Sequence, residues 1–174
     1  NEALLRISPE NIDEIMHDTI DPKSENSAQL LGTGLPAGPG SATGQIVFTA
    51  EDAEKWTKKG KKVILVRNET SPEDVHGMHV ANGILTAKGG MTSHAALVAR
   101  GWGKCCIVGC STININFEKK SVDIGNNSLN EGDWVTLNGS LGYIYKDELS
   151  LKKPNLDKNQ YFNRLMDLAD KKKQ

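Results

Sequence analysis

The chain has 174 residues and a mass of 18.9 kDa, enough for one domain with its own core and hardly enough for two. Hydrophobic residues make up 37% and charged residues 25%, a globular composition that excludes the disordered, collagen-like and coiled-coil classes. The formal net charge of -1 gives no basic excess that would indicate a nucleic acid or an anionic membrane as the partner. The sequence begins at Asn1 without a methionine, and we expect a piece cut or processed from a longer protein.

The hydrophobic pattern alternates strands with helices over the first two thirds of the chain. Unbroken apolar runs predict buried strands, because a strand covered on both faces has no polar side. Proline in a first helical turn and glycine after the last turn mark the ends of helices. In chain order we predict a helix from Ser8 to Asp21, a polar linker over 22–30, loop or turn over 32–44, a strand at 45–49, a helix at 50–59, a strand at 63–66, a helix from Ser71, a strand at 83–87, a helix from Ser93 to about Arg100 and a strand at 107–108.

The pattern after residue 110 is rich in β-structure. Short strands are predicted at 113–117 and 122–124, and a hairpin at 134–145, because Asn138-Gly139 suits a tight primed turn. A last helix is predicted over 158–173. The sum is a compact α/β domain, which we place over residues 31–147, with helical arms or linkers over 1–30 and 148–174.

The densest chemistry of the sequence lies where a predicted buried strand runs through two glycines into a helix. Gly89 and Gly90 let a ligand approach the main chain, and the helix start offers unpaired N–H groups and a positive dipole end. Thr92 and Ser93 add hydroxyl donors. The neutral imidazole of His94 is a nucleophile near pH 7, because the usual pKa of histidine is ~6.5. This order of residues predicts an anion site where a histidine accepts, stores and passes on a phosphoryl group.

Two other interpretations of this segment stay open on the residues alone. A histidine near a helix start is usually a capping or structural residue, and the glycines then only shape the packing of an interaction domain. Alternatively, the turn binds an anion or nucleotide without chemistry at His94, although neither the P-loop nor the G-x-G-x-x-G pattern is formed. Cys105, Cys106 and Cys110 predict buried, reduced thiols, because no C-x-x-C pair is available for a metal site with His94.

Three ordered stretches make the interpretation more specific. Residues 89–106 read GGMTSHAALVARGWGKCC, residues 31–48 read LGTGLPAGPGSATGQIVF, and residues 66–78 read VRNETSPEDVHGM. Together they resemble the phosphohistidine segment of the pyruvate, phosphate dikinases, whose wider group includes phosphoenolpyruvate synthase and Enzyme I of the sugar phosphotransferase system. Met91 and the adjacent pair of cysteines favour the dikinases within that group.

The resemblance implies a swivelling carrier domain of β/β/α fold. His94 matches the phosphoryl acceptor and donor of the family. Thr92 matches a phosphate-contacting threonine that is a regulatory phosphorylation site in plant forms. Gly89, Gly90 and Ser93 match the segment that cradles the phosphate. These five residues are therefore the predicted catalytic and phosphate-binding set.

The implied reaction converts pyruvate, ATP and orthophosphate reversibly into phosphoenolpyruvate, AMP and pyrophosphate. In this family the histidine takes a pyrophosphoryl group from ATP, keeps the β-phosphoryl group after reaction with orthophosphate, and passes it to pyruvate. An ATP-grasp domain and a barrel domain hold these substrates, and neither fits in 174 residues. This chain alone is therefore not expected to turn over. A carrier domain of phosphoenolpyruvate synthase is the alternative.

The resemblance also implies cofactors, partners and location. Mg²⁺ and a monovalent cation are expected in the full-length enzyme, with no metal bound by this domain. The expected partners are the nucleotide-binding domain and the phosphoenolpyruvate/pyruvate barrel domain of the same enzyme, with no nucleic acid and no membrane. We expect a homodimer for the full-length enzyme and a monomer for the chain alone. The expected location is the cytoplasm, with plastid and glycosome as the alternatives in this family.

Overall fold

The structure is a computed structural model that describes residues 17–153. Its helices are α1 (Pro22–Ser27), α2 (Ala50–Lys58), α3 (Val75–Val80), which a 3-10 turn at Pro72–Asp74 precedes, and α4 (His94–Trp102). Its strands are β1 (Thr19–Ile20), β2 (Leu30–Thr33), β3 (Leu35–Gly38), β4 (Ser41–Val47), β5 (Val63–Arg67), β6 (Gly83–Thr86), β7 (Cys105–Val108), β8 (Ile113–Asn116), β9 (Ser121–Ile124), β10 (Asn127–Asn130), β11 (Trp134–Asn138), β12 (Tyr143–Lys146) and β13 (Leu151–Lys152).

An eight-stranded sheet forms the centre of the fold. Its strand order is β2-β12-β11-β4-β5-β6-β7-β3, and β4 to β7 run parallel while the other neighbours pair antiparallel. Helices α2, α3 and α4 connect the parallel strands and cover one face. A three-stranded antiparallel sheet, in the order β10-β9-β8, covers the other face. The predicted α/β class is confirmed, with the layers arranged as sheet, sheet and helices.

Two apolar clusters fill the two interfaces between these layers. Alternate residues of β5 belong to different clusters, with Ile64 and Val66 facing the small sheet and Val63 and Leu65 facing the helices. This explains the unbroken apolar run, because successive side chains of a strand point to opposite faces and both are buried. On the helical side α4 contributes small side chains, which let it approach the sheet closely: Ala95, Ala96 and Ala99.

The large sheet is curled so that its two edges meet. Strands β2 and β3 lie at opposite edges, yet only Gly34 separates them in the chain. Consecutive Cα atoms are about 3.8 Å apart, so these edges must be neighbours in space. The Gly34 N–H donates to the carbonyl of Gly142 at 2.8 Å, and a β-carbon at Gly34 would lie 2.6 Å from Ile107 Cγ2. Glycine is therefore required where the edges join.

The first and last described segments lie side by side. Strand β1 pairs with β13, with Thr19 opposite Lys152 and Ile20 opposite Leu151. Helix α1 is held against the hairpin of β11 and β12 by Glu25, which accepts from Tyr145 Oη at 2.7 Å and from Asn138 Nδ2 at 3.0 Å.

None of the helices described between residues 17 and 153 has the length and apolar character that crossing a bilayer requires.

The prediction of loop or turn over residues 32–44 is wrong, because this segment contributes to β2, β3 and β4. Its glycines serve close approach between strands. A β-carbon at Gly38 would overlap the carbonyl oxygen of Lys104, and one at Gly44 would lie 2.8 Å from the carbonyl carbon of Val63. Glycine weakens a strand when it is exposed, but it is the only residue that fits where another backbone lies this close.

Smaller differences have local causes. Residues 22–27 form a helix rather than a linker, because Asp21 accepts from the Lys23 N–H at 3.3 Å and caps the helix that Pro22 begins. The predicted hairpin at 134–145 is present, but four residues separate its strands, and the Asn138 side chain accepts from the Leu141 N–H at 3.1 Å. The predicted helix from Ser8 to Asp21 lies outside the described residues up to residue 16, and it is wrong at its end, where Thr19–Ile20 form β1 and pair with β13. The predicted helix over 158–173 lies entirely outside the described residues.

Candidate functional site

The predicted site segment lies at the carboxyl edge of the parallel strands. Strand β6 ends at Thr86, whose Oγ1 donates to the carbonyl of Lys88 at 2.7 Å and starts the loop. Gly89 has a φ of +99°, and a β-carbon there would lie 2.9 Å from Ser93 Cβ. A β-carbon at Gly90 would have no atom within 4 Å. The loop then enters α4, which begins at His94.

Several main-chain N–H groups at the start of α4 make no hydrogen bond within the described residues. Ser93 caps the helix by accepting from the Ala96 N–H at 3.4 Å, and its own N–H donates to the Gly90 carbonyl at 3.0 Å. Within the described part of the chain, no hydrogen bond is made by the main-chain N–H groups of residues 89–92 or of His94 and Ala95. Unpaired N–H groups at a helix start, together with the helix dipole, favour an anion.

The imidazole of His94 is half-buried and held by a second loop. Its Nδ1 lies 3.1 Å from Oγ1 of Thr70. When Nδ1 carries the proton it donates to this hydroxyl, and Nε2 then keeps its lone pair for reaction. Thr70 is a functional candidate that the sequence analysis missed, although it lies inside one of the three quoted stretches, directly before Ser71-Pro72.

The loop carrying Thr70 is fixed by a buried carboxylate. Asp74 accepts from the Ser71 N–H at 2.9 Å, within a capping box at the 3-10 turn. Arg67, the last residue of β5, places its Nε 3.7 Å from Asp74 Oδ2 and donates through Nη1 to the Phe48 carbonyl at 3.0 Å. The strand ends and the turn are thus tied together, which gives the hydroxyl of Thr70 a defined position beside the imidazole.

The charged side chains of this loop and of α4, Lys88 and Arg100, are exposed and basic. Thr92 is exposed, and no acidic residue occurs between residues 87 and 103. Lys88 is exposed, and Arg100 reaches back from α4 to donate through Nη2 to the carbonyl of Met91. Over residues 17–153 no group of three or more His, Cys, Asp or Glu side chains is arranged to hold a metal ion.

The cysteines belong to the apolar clusters and do not line the site, with Cys106 on the helical side of the large sheet and Cys105 and Cys110 on the side of the small sheet. Cys105, Cys106 and Cys110 are buried, as predicted, and none lies in a disulfide bond. The Sγ of Cys106 is 4.0 Å from the carbonyl of Ala95 in the first turn of α4. Burial raises the pKa of this thiol from 9.0 to about 12, against a smaller opposite effect of Arg100. A neutral thiol is a weak nucleophile, so Cys106 fills space under the helix.

Comparisons with known proteins place this arrangement in a family. Residues 59–142 match the PEP-utilising enzyme, mobile domain. The chain is 56% identical over 154 residues, 88% of its length, to pyruvate, phosphate dikinase 2 of Zea mays. The chain belongs with the mobile domains of the PEP-utilising enzymes. The resemblance to the pyruvate, phosphate dikinases is thereby confirmed.

Two further relatives show how far the similarity extends. The chain is 52% identical over 154 residues, 88% of its length, to the chloroplastic pyruvate, phosphate dikinase of Mesembryanthemum crystallinum. It is 47% identical over 170 residues, 98% of the chain, to the pyruvate, phosphate dikinase of Clostridium symbiosum. The chain spans 17%, 16% and 19% of the lengths of these three relatives, in the order given. The relatives therefore contain other domains.

Proposed function

We propose that this chain is the phosphohistidine carrier domain of a pyruvate, phosphate dikinase and that His94 accepts and donates the phosphoryl group. The observation that carries the proposal is the imidazole itself. It stands half-exposed at the start of α4, it is oriented by Thr70, and it adjoins main-chain N–H groups that make no other hydrogen bond within residues 17–153. A nucleophile and an anion cradle thus occupy the same few residues.

The phosphoryl group moves by nucleophilic displacement at phosphorus. Nε2 of His94 attacks the β-phosphorus of ATP, the N–P bond forms, and AMP leaves with the electron pair of the broken P–O bond. An oxygen of orthophosphate then attacks the γ-phosphorus, and the bond from that phosphorus to the bridging oxygen breaks. Pyrophosphate is released, and the β-phosphoryl group keeps the bridging oxygen with its electron pair and stays on Nε2. Finally the enolate oxygen of pyruvate attacks that phosphorus, and the N–P electron pair returns to the imidazole.

Each of the other site residues has a part in holding the charge of the carried group. Gly89 and Gly90 keep the main chain open to the phosphoryl oxygens, which approach the N–H groups of the loop. The exposed hydroxyl of Thr92 supplies a further donor, and its modification by a phosphate would block the same space. Ser93 contributes as the cap that fixes the first turn of α4.

Thr70 determines which nitrogen reacts. Its hydroxyl accepts from Nδ1 and so leaves the lone pair on Nε2, which gives one phosphohistidine isomer. The same hydrogen bond persists after transfer, because the phosphorylated ring keeps its proton on Nδ1. Thr70 is therefore a positioning residue for His94.

The remaining parts of the proposal concern the whole protein. Residues 31–147 are the carrier, and the segments 1–30 and 148–174 are the linkers on which it swivels between an ATP-grasp domain and a phosphoenolpyruvate/pyruvate barrel. Mg²⁺ neutralises phosphate oxygens of the nucleotide, and it and the monovalent cation bind in those other domains. The full-length protein is a homodimer located in the cytoplasm, a plastid or a glycosome. The chloroplastic names of several relatives favour the plastid.

A labelling experiment in the full-length protein tests the proposal. Phosphoenolpyruvate carrying a labelled phosphoryl group should label the wild type, and the label should be lost in acid and kept in base, as a phosphoramidate requires. The variant H94N keeps a polar side chain at the helix start and should take up no label. Equal labelling of both proteins would reject the carrier role. Phosphate binding that survives H94N, with no labelling of the wild type, would indicate an anion-binding module instead.

A further inference from the structure

The carbonyl groups of the loop before α4 are held by hydrogen bonds, and this determines where the loop N–H groups point. None of the described peptide bonds is cis, and in a trans peptide the C=O and the N–H point to opposite sides. The Lys88 carbonyl accepts from Thr86 Oγ1 at 2.7 Å, and the Gly90 carbonyl accepts from the Ser93 N–H at 3.0 Å. The N–H group that follows each of these carbonyls therefore points away from the donor that holds it.

Arg100 holds a third carbonyl of this loop. Its Nη2 donates to the carbonyl oxygen of Met91, nine residues earlier in the chain. This bond fixes the plane of the peptide between Met91 and Thr92. The Thr92 N–H makes no hydrogen bond within residues 17–153, and it points to the side opposite Arg100. Arg100 is therefore the side chain that sets the direction of one of the open N–H groups.

The loop has few other restraints on this peptide. A β-carbon at Gly90 would have no atom within 4 Å, Met91 is 38% exposed, and Thr92 is exposed. A peptide with so little packing around it rotates unless a hydrogen bond fixes it. Arginine suits this task because its donors lie on a rigid planar fork. Helix α4, which carries Arg100, is itself anchored by small buried side chains: Ala95, Ala96 and Ala99.

We propose that Arg100 is a positioning residue that directs the Thr92 N–H toward the phosphoryl group carried by His94. This inference rests on the proposed carrier function. A donor that is fixed before the charge arrives needs no reorientation when the phosphoryl group is transferred. The guanidinium at the Met91 carbonyl also polarises the peptide, which strengthens its N–H as a donor.

Two other roles of the same side chain would give different results. A guanidinium that bound the phosphoryl oxygens itself would act independently of the Thr92 N–H. A guanidinium that acted by its charge alone would be matched by another exposed cation of the loop, Lys88. The test therefore needs one variant that removes the N–H and one that removes a charge without releasing a carbonyl.

The test measures the rate at which phosphoramidate phosphorylates His94 in the full-length protein. Phosphoramidate is a small donor that needs no partner domain: Nε2 attacks its phosphorus, the N–P bond to the imidazole forms, and ammonia leaves with the electron pair of the broken bond. R100M removes the donor and keeps an apolar stem, and thermal unfolding verifies that the variant is folded. Replacing Thr92 by the α-hydroxy acid with the same side chain exchanges its N–H for an oxygen atom and leaves Arg100 in place.

The control variant is K88M. The ammonium of Lys88 makes no hydrogen bond or ion pair within the part of the chain that the structure describes. Lys88 lies in the same loop as Met91, and like Arg100 it is exposed. K88M therefore removes one positive charge near the site and leaves the bond between Arg100 and Met91 intact.

The expected result is a loss that depends on the Thr92 N–H. R100M should slow phosphorylation about tenfold, as the loss of one hydrogen bond to a charged group does, and K88M at most about twofold. The α-hydroxy acid at position 92 should also slow the reaction about tenfold, and adding R100M to it should cost less than about twofold more, because both changes remove the same interaction.

Several results would reject the positioning role. Equal effects of R100M and K88M would mean that only charge matters, and a further tenfold loss from R100M in the protein with the α-hydroxy acid would mean that Arg100 binds the phosphoryl group directly. A wild-type rate in R100M, or with the α-hydroxy acid, would also reject it while leaving the carrier function in place. If phosphoramidate does not label His94 in the wild type, the carrier function itself fails, and the inference fails with it.

Discussion

The chain has two glycine-rich segments, and they use glycine in opposite ways. In residues 32–44 three of the five glycines, Gly34, Gly38 and Gly44, lie close against other backbone atoms; a β-carbon at Gly34 would lie 2.8 Å from the Val108 carbonyl oxygen. In residues 89–103 three of the four glycines have no atom within 4 Å of that position: Gly90, Gly101 and Gly103. The first segment closes the sheet, and the second leaves the main chain open beside His94. Glycine content alone therefore does not mark a ligand site.

The largest expected effect comes from closing space in the first segment. G38A places a methyl group onto the Lys104 carbonyl oxygen and 2.9 Å from the Cys106 nitrogen. We expect it to lower the free energy of unfolding by about 3 kcal/mol or more, measured by urea denaturation. The control is G101A in α4, where the β-carbon meets nothing and the change should stay within about 1 kcal/mol. Equal stabilities would contradict the packing role of Gly38.

The second prediction concerns Cys106, which has neighbours in both glycine-rich segments. It pairs with Gly38 across β3 and β7, and its sulfur faces the first turn of α4. Because burial raises its pKa from 9.0 to about 12, the folded state keeps the proton that the unfolded state releases. The stabilisation that comes from keeping the Cys106 thiol protonated in the folded state is complete below pH 9.0 and is lost as the pH rises toward 12.

Unfolding free energies measured across this range test the thiol directly. The wild type should lose up to about 1.4 kcal/mol per pH unit from this group, and C106A should show a correspondingly flatter decline. Tyr145 is the matched reference, since its pKa is also raised by burial and by the hydrogen bond to Glu25, and it is present in both proteins. Parallel pH profiles would mean that Cys106 titrates normally in the folded state.

The third prediction adds bulk in the second segment. The position of a β-carbon at Gly90 is empty, so G90A should change the free energy of unfolding by no more than about 0.5 kcal/mol. The added methyl group occupies space that the phosphoryl oxygens need near the loop N–H groups. Phosphorylation by phosphoramidate should therefore slow about tenfold, equivalent to one lost hydrogen bond to a charged group. An unchanged rate would remove Gly90 from the site.

The smallest expected effect follows from the hydrogen bond to His94. T70V removes the hydroxyl 3.1 Å from Nδ1 and should slow phosphorylation about fivefold, the kinetic value of a net hydrogen bond of ~1 kcal/mol. T70S restores the hydroxyl and should restore the rate. Phosphorus NMR should show both phosphohistidine isomers in T70V and one in T70S. A single isomer in every variant would show that Thr70 does not select the nitrogen.

Local sequence signals predicted the parallel half of the fold well. The helix at 50–58 and the strands at 63–67 and 83–86 follow from apolar runs, caps and a terminal glycine. The short strands around 32–44 could not be predicted in this way, because their glycines are selected by distant backbone such as Lys104 and Val63. Close approach of this kind leaves no local pattern in the sequence.

The candidate site also has a part with a local sequence signal and a part that depends on distant residues. The order of glycines, hydroxyls and His94 is local, so the sequence alone pointed to it. The contact between Thr70 and His94 joins two loops that are 24 residues apart, and only the adjacency of β5 and β6 brings them together. A contact that depends on the order of the strands in the sheet could be found only in the structure.

The most direct measurement is the location of the phosphoryl group after reaction with phosphoramidate. Tandem mass spectrometry on peptides prepared at neutral to alkaline pH, together with phosphorus NMR, identifies the residue and the nitrogen. We expect one phosphoryl group, on Nε2 of His94, and none at any histidine in H94N. Modification of His17, His76 or His79 in preference to His94, or an unmodified His94 in a folded protein, would contradict it.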